Sequence, residues 1–360
     1  MLQLKKKKSE KTLVGLEIEA GSIAAAEVLA NGDSRLTSTA IAPLPAGAFH
    51  DGEVVDPDAV AETLRATFAE HGLSKRVRLG IANQRVVVRT MRLPAIDDPK
   101  ELEAAVRFEA EERIPMPLDQ AILDYRVVGG VAATEDETPK IDVVVVAARR
   151  EMIAASLKPL HDAGLKPVGV DLAAFGLIRA LGDTSLPAAP GEAQAPPATV
   201  LYCNIGDGTN LAVAKGRSCL FTRVAPTGIE GIATELAAST GLAQEHARLW
   251  LTHVGLEQPL EAIEGDPNLI AQVREALERG ASSLLDEVRL SLDFYGAQEG
   301  AFPVERIVLS GPGSAIAGIS ERMSPVLGLP VELGRPAVLD GLDPSAAARL
   351  TLSYGLALEE

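Results

Sequence analysis

The chain has 360 residues, enough for two ordinary domains, and its 47% hydrophobic but 3% aromatic content describes a core of Val, Leu, Ile and Ala. A formal net charge of −16 excludes a general nucleic-acid binder, which needs a basic surface. Cys203 and Cys219 form neither a metal-ligand spacing nor a disulfide framework, which fits a reduced compartment, and no apolar run reaches the roughly 18 residues that span a bilayer. Residues 1–12, with the run Lys5 to Lys8, read as a solvated, flexible basic start.

In chain order, Leu13–Ile18 and Ile23–Leu29 read as strands joined by a tight turn at Gly21, with a third strand over Arg35–Ile41. Pro57–His71 reads as a helix with Asp56 as its N-cap, and Val77–Ile81 and Arg85–Leu93 as strands. Leu102, Val106, Ala110 and Ile114 share one face of a helix over Asp98–Ile114, which Pro115-Met116-Pro117 ends. Strands over Ile122–Val128 and Ile141–Ala148 flank a polar, acidic loop, Gly129–Lys140. A helix over Glu151–Ala163 closes at Gly164, followed by a short strand Val168–Val170 and a helix to about Leu181.

Pro187 to Pro197, PAAPGEAQAPP, lacks apolar periodicity and reads as a linker or exposed loop, placed at 187–198. Beyond it Val200–Asn204, Asn210–Lys215 and Cys219–Val224 form a meander, and Gly228–Gly241 and Ala243–His253 are helical. A long helix covers Leu269–Tyr295. Ile307–Leu309 is a buried strand running into Gly311-Pro312-Gly313-Ser314, where a helix begins and continues to about Leu327, and Leu350–Ala357 is a last apolar helix. The pattern is α/β in two related halves.

The two halves open alike. Glu17-Ile18-x-x-Gly21-Ser22 aligns with Asn204-Ile205-x-x-Gly208-Thr209, each between two apolar runs. A glycine turn lets backbone N–H groups approach an anion, a neighbouring hydroxyl can donate to a phosphate oxygen, and an acid at the strand end can orient water or hydrated Mg²⁺. Two such turns face to face would grip a nucleotide. Gly206, Gly228 and the Gly311, Gly313, Ser314 segment complete the candidate nucleotide-binding set. Taken singly, each turn reads equally well as an ordinary hairpin.

With these motifs the chain resembles the actin-like superfamily of actin, chaperone ATPases and sugar kinases, and more specifically the PilM family of type IV pilus assembly proteins, relatives of the division protein FtsA. The stretches that carry the resemblance include LVGLEIEAGSIAAAEV, RLPAIDDPKELEAAVRFEAEERIPMPLDQAILDYRVVG, VVVVAARREMIAASLKPLHDAGLKPVGVDLAAFGLIRAL, EVRLSLDFYGAQEGAFPVERIVLSGPGSAIAGISERM and LSYGLAL, with FEAEERIPMPLDQAILDY the most specific. The resemblance implies a duplicated actin-like (ribonuclease H-like) two-domain fold with an FtsA-like insertion. The first domain would span 13–186, with the insertion at about 85–167, and the second 199–360.

The resemblance also implies a nucleotide site, and the sequence departs from it. The family's Asp, Gly and Lys positions read Glu17, Glu19 and Ala24, the second turn carries Asn204 where an Asp is usual, and Asp207 adds a charge. Positions that usually offer a Glu and a Lys near the adenosine align approximately with Arg248 and Leu251. Carboxylates set against a polyanionic phosphate in a poorly solvated cleft, with no local cation from these loops, oppose binding. The expectation is a degenerate or weak Mg-ATP site and no efficient ATPase. The five histidines do not cluster with cysteines or acids, so no metal centre and no catalytic residue is expected.

What the resemblance implies for function is an adaptor at the cytoplasmic face of the inner membrane, within the type IV pilus alignment complex. It would bind the N-terminal tail of a PilN-like membrane protein and couple to the pilus motor ATPases. Pro115, Pro117, Asp124 and Tyr125, in the most specific stretch, are the candidate partner-binding residues. The alternatives are a functional ATPase or small-molecule kinase using the same cleft, and a filament-forming cytoskeletal protein.

Overall fold

The structure, a computed structural model, describes residues 12–29, 34–131, 138–182, 197–298 and 300–359. The run Lys5 to Lys8 and nearly all of the expected linker lie outside the described residues. The first half contains β1 (Thr12–Glu19), β2 (Ser22–Leu29), β3 (Arg35–Pro43), the small hairpin β4 (Phe49–His50) and β5 (Glu53–Val54), α1 (Pro57–Glu70) and β6 (Arg76–Ile81). It continues with β7 (Val87–Pro94), α2 (Pro99–Arg113), β8 (Ala121–Val131), β9 (Lys140–Arg149), α3 (Arg150–Asp162), β10 (Lys166–Leu172) and α4 (Ala173–Leu181). The second half holds β11 (Thr199–Ile205), β12 (Thr209–Lys215), β13 (Ser218–Ala225), α5 (Ile229–Thr240), α6 (Gln244–Val254), α7 (Pro267–Gly296), β14 (Arg306–Ser310), α8 (Ile319–Leu327), β15 (Val331–Leu333) and α9 (Pro344–Ala357).

The internal duplication is visible in the sheets. The first runs β10-β6-β1-β2-β3 and the second β15-β14-β11-β12-β13. In each, the first three strands form an antiparallel meander, and two later strands add in parallel on the other side of the first strand. This is the duplicated architecture that the resemblance implies. Local signals account for the element ends. Asp56 caps α1 by accepting from the N–H groups of Asp58 and Ala59, at 3.1 and 3.0 Å. Asp98 caps α2 in the same way at 2.8 and 3.1 Å. Gly164 closes α3 at φ 74°, with Leu165 N–H returning to the Leu160 carbonyl at 2.9 Å.

Residues 87–149 form a separate layer. The antiparallel sheet β7-β9-β8 packs α2 onto one face through Met91, Leu93, Leu102, Val106, Ala110, Val143, Val145 and Ala147. The alternation along β7, with Met91 and Leu93 buried between exposed Thr90, Arg92 and Pro94, matches a strand with one covered face. This insertion ends at Arg149, short of the Pro167 boundary expected from sequence. The reason is packing: Leu157 and Leu160 of α3 join the core of the first sheet, and β10 pairs in parallel with β6.

Two helices cross between the halves. Ala173, Ala174, Leu177 and Ile178 of α4 pack on Val200, Tyr202, Ala212 and Ala214 of the second sheet. Helix α9, from the far end of the chain, lies on β1 and β2 as well as on α4. The approach is close enough to require glycine. A Cβ on Gly355 would overlap the Gly176 carbonyl oxygen, and one on Gly15 would overlap the Ser353 carbonyl oxygen. Arg78 Nη1 then donates to the carbonyls of Leu356 and Leu358, at 2.9 and 2.7 Å, which answers orphan acceptors at the end of α9.

Gly355→Ala is expected to lower unfolding stability by about 1–3 kcal/mol in urea titration, because α4 and α9 must part to admit the methyl group. Gly231→Ala, on the exposed side of α5 with nothing within 4 Å of the added carbon, is the control. It is expected to be neutral or to stabilise by about 0.4–1 kcal/mol.

Candidate functional site

The two glycine turns meet in the cleft between the sheets. At the first, β1 ends in Glu17 and Glu19 and β2 starts at Ser22. At the second, β11 ends in Asn204 and Ile205, with Gly206, Asp207 and Gly208 before Thr209 opens β12. The Asp207 N–H donates to Glu19 Oε1 at 3.1 Å, and the carboxylate rests where a Cβ on Gly206 would stand. Glu19 therefore spans the cleft and takes up an N–H of the opposite turn.

Two arginines flank this contact. Arg349, on α9, donates from Nη1 to Ser22 Oγ, and its charge acts on both Glu17 and Glu19. Arg248, on α6, is held by Glu230 of α5 in a bidentate pair, Nε to Oε2 at 2.7 Å and Nη2 to Oε1 at 2.6 Å. Its guanidinium lies flat against Gly21, where a Cβ would come within 2.5 Å of Cζ. The turns themselves supply no cation, and both arginines reach the cleft from helices. Arg349 comes from a helix 327 residues beyond Ser22, which no local motif could reveal. Leu251, expected near a nucleoside, is instead wholly buried in the core of the second domain, and Ala24 packs among Leu339, Ala347 and Leu350.

Burial pushes the Glu17 carboxyl well above the usual carboxylate range; the Glu19 carboxylate adds to the rise and Arg349 opposes it. Burial likewise raises Glu19, against Arg349 and the Asp207 N–H, with the carboxylates of Asp207 and Glu230 adding to it. Asp207 is pushed up to about 6, first by burial and then by Glu230, with His50 opposing.

The candidate nucleotide-set residues fall into three groups. Glu17, Asn204 and Gly208 line a cavity of about 80 Å³ together with Glu19, Asp51, Asp207 and Asn210. The hydroxyls are engaged internally: Ser22 with Arg349, Thr209 with the Thr227 carbonyl at 2.6 Å, and Ser314 with the Gly311 carbonyl at 2.7 Å. Gly228 and Gly313 border a separate apolar space of about 20 Å³, walled by Ile205, Ile232, Leu277 and Ile316. Gly311, at φ 81°, opens only a short 3₁₀ turn, Pro312–Ala315. The α-helix expected there starts later, at Ile319, so no long helix points its N-terminus at this loop. Sequence reasoning missed Asn210, whose amide is buried in the cavity wall without a hydrogen-bond partner, and the β4–β5 hairpin at the cavity edge.

The candidate partner-binding residues sit together on the insertion. Pro115 and Pro117 are exposed in the turn after α2. Asp124 and Tyr125 lie on β8, whose outer edge carries no strand among the described residues. Asp124 faces solvent and accepts from the Tyr125 N–H at 2.8 Å, while Tyr125 packs toward the α2 core.

Because Glu17 binds its proton more tightly folded than unfolded, it costs stability as pH rises from the unfolded value of 4.5 through the raised folded value. Glu17→Gln removes that cost. Its thermal midpoint is expected to exceed that of the wild type near pH 7.5, and the gain to shrink toward zero at about pH 4, in melts followed by circular dichroism.

The family described as type IV pilus assembly protein PilM matches residues 15–349. Among solved structures, a PilM–PilN type IV pilus biogenesis complex superposes with a TM-score of 0.77 at 26% identity, over 97% of this chain and 98% of that one. The ethanolamine utilization protein EutJ from Carboxydothermus hydrogenoformans shares the fold, with a TM-score of 0.55 at 15% identity over 96% of this chain and 89% of that one. The chain belongs to the PilM family of type IV pilus assembly proteins.

Proposed function

We propose that this protein is a peptide-docking adaptor of the type IV pilus machinery, which holds the N-terminal tail of a PilN-like inner-membrane protein and does so without bound nucleotide. The observation that carries the reading is the likeness, across nearly the whole of both chains, to a family member solved as a PilM–PilN complex. Among the described residues no helix is long and apolar enough to cross a membrane. In this reading the partner's tail brings the protein to the cytoplasmic face of the inner membrane. Relay to the pilus motor ATPases is the corresponding role on the other side.

The tail adds as a strand to the free edge of β8, with main-chain hydrogen bonds supplying affinity and alternate side chains supplying choice. Ile122 and Val127, 39% and 44% exposed, offer apolar contact along this strand beside Asp124. Nucleotide independence is supported by the cleft. A cavity of about 80 Å³ is well below the roughly 300 Å³ at which small-molecule sites begin. Of the expected Mg-ATP donors, the Asp207 N–H goes to Glu19 and the Thr209 and Ser314 hydroxyls go to the Thr227 and Gly311 carbonyls, while Ser22 Oγ accepts from Arg349.

The test is fluorescence anisotropy with a labelled N-terminal peptide of the PilN-like protein. Ile122→Asp and Val127→Asp are each expected to weaken binding at least about tenfold, about 1.4 kcal/mol, while Leu333→Asp on the distant β15 leaves it unchanged. Equal affinity in all four proteins would remove β8 as the docking edge. Absence of wild-type binding would remove the adaptor reading for this partner.

A further inference from the structure

The contact made by Glu19 has the composition of a bound anion. A carboxylate lies over a glycine turn, accepts a backbone N–H and is drawn to a guanidinium. Here the anion belongs to the chain itself. Oε1 takes the Asp207 N–H at 3.1 Å, the carboxylate fills the space above Gly206, and Arg349 from α9 draws on it while binding Ser22. A backbone N–H in a glycine turn, with an arginine charge acting on the same place, is an oxyanion-binding arrangement.

We propose that Glu19 is a tethered anion that occupies this oxyanion site in cis, so that the two turns are held together without a ligand. The inference rests on the nucleotide-independent reading above and deepens it: it assigns the closed state of the cleft to one side chain. The geometry gives the reason a glutamate stands there. It reaches from the first turn into the second, and its partner turn accepts it because Gly206 has no side chain. Asp207 lends its backbone to the contact while its own carboxylate lines the neighbouring cavity. The Arg248–Glu230 pair lies against Gly21 of the first turn. Removing the carboxylate frees the Asp207 N–H and the space beside Gly206, with the charge of Arg349 acting on the same place.

The experiment uses the full chain as wild type, Glu19→Ala, Glu19→Gly, and Glu19→Ala combined with Arg349→Met, with pyrophosphate as the probe. Thermal melts and calorimetric titration are run with about 10 mM pyrophosphate, since a ligand bound only by the folded state raises its midpoint. The wild type is expected not to respond. Glu19→Ala and Glu19→Gly are each expected to gain saturable binding and a rise in midpoint of at least about 3 °C, and the combined variant to lose both. Two results would overturn the proposal: a wild type that binds pyrophosphate as tightly as the variants, or folded Glu19 variants that do not bind it. The affinity of the same proteins for the PilN-like peptide reads the adaptor function separately, so loss of that affinity with an intact pyrophosphate response would reject the adaptor and keep the tethered anion.

Discussion

The close approach of α9 to β1 and α4 is the constraint on which the rest of the structure depends. Two glycines, Gly15 and Gly355, let backbone meet backbone where any side chain would collide, and Gly176 leaves room for the Leu352 and Leu356 side chains. The approach places the last helix of the chain on the first sheet while α4 serves the second, so neither half completes its core alone. It also sets the distance between the sheets. At that distance Glu19 of one turn reaches the Asp207 N–H of the other, and Arg349 of α9 reaches Ser22.

Charge in the cleft follows from this geometry. Glu17, Glu19, Asp207 and Glu230 are gathered where water is scarce, which raises the first three and would be costly without compensation. Compensation comes from Arg349 and from backbone donors, and Arg248 neutralises Glu230 outright through its bidentate pair. A buried charged group that loses its partner costs far more than the pair contributes, so such a network specifies one arrangement of the domains more than it adds stability. The hydroxyls of Ser22, Thr209 and Ser314 follow the same logic, each spent on a neighbour inside the protein.

Much of this was legible in the sequence. The repeated acid-or-amide, Ile, x, x, Gly, hydroxyl pattern identified both turns, and strand and helix periodicity identified the two halves, because those signals are local. Asp56, Asp98 and Gly164 marked helix ends for the same reason. What was not legible involves contacts distant along the chain. The crossing of α4 and α9 leaves only an indirect trace, the small residues Ala173, Ala174, Gly176 and Gly355, which read equally well as any tight helix face. Arg349 carries no motif that ties it to Ser22. The insertion boundary was misplaced because α3 and β10 look the same in sequence whether they join the inserted sheet or the first one. Leu251 was misassigned because an approximate alignment cannot tell which face of α6 meets the core.

These features describe a member of the PilM family in which a side chain of one turn bonds to the backbone of the other, with β8 at the edge of the inserted sheet. Native-state hydrogen exchange at the Asp207 amide, followed by NMR, tests this most directly. A cleft closed by Glu19 predicts that this amide is protected in protein free of nucleotide and that Mg-ATP leaves its exchange unchanged. Rapid exchange without nucleotide, slowed by Mg-ATP, would contradict the account and return the cleft to a ligand.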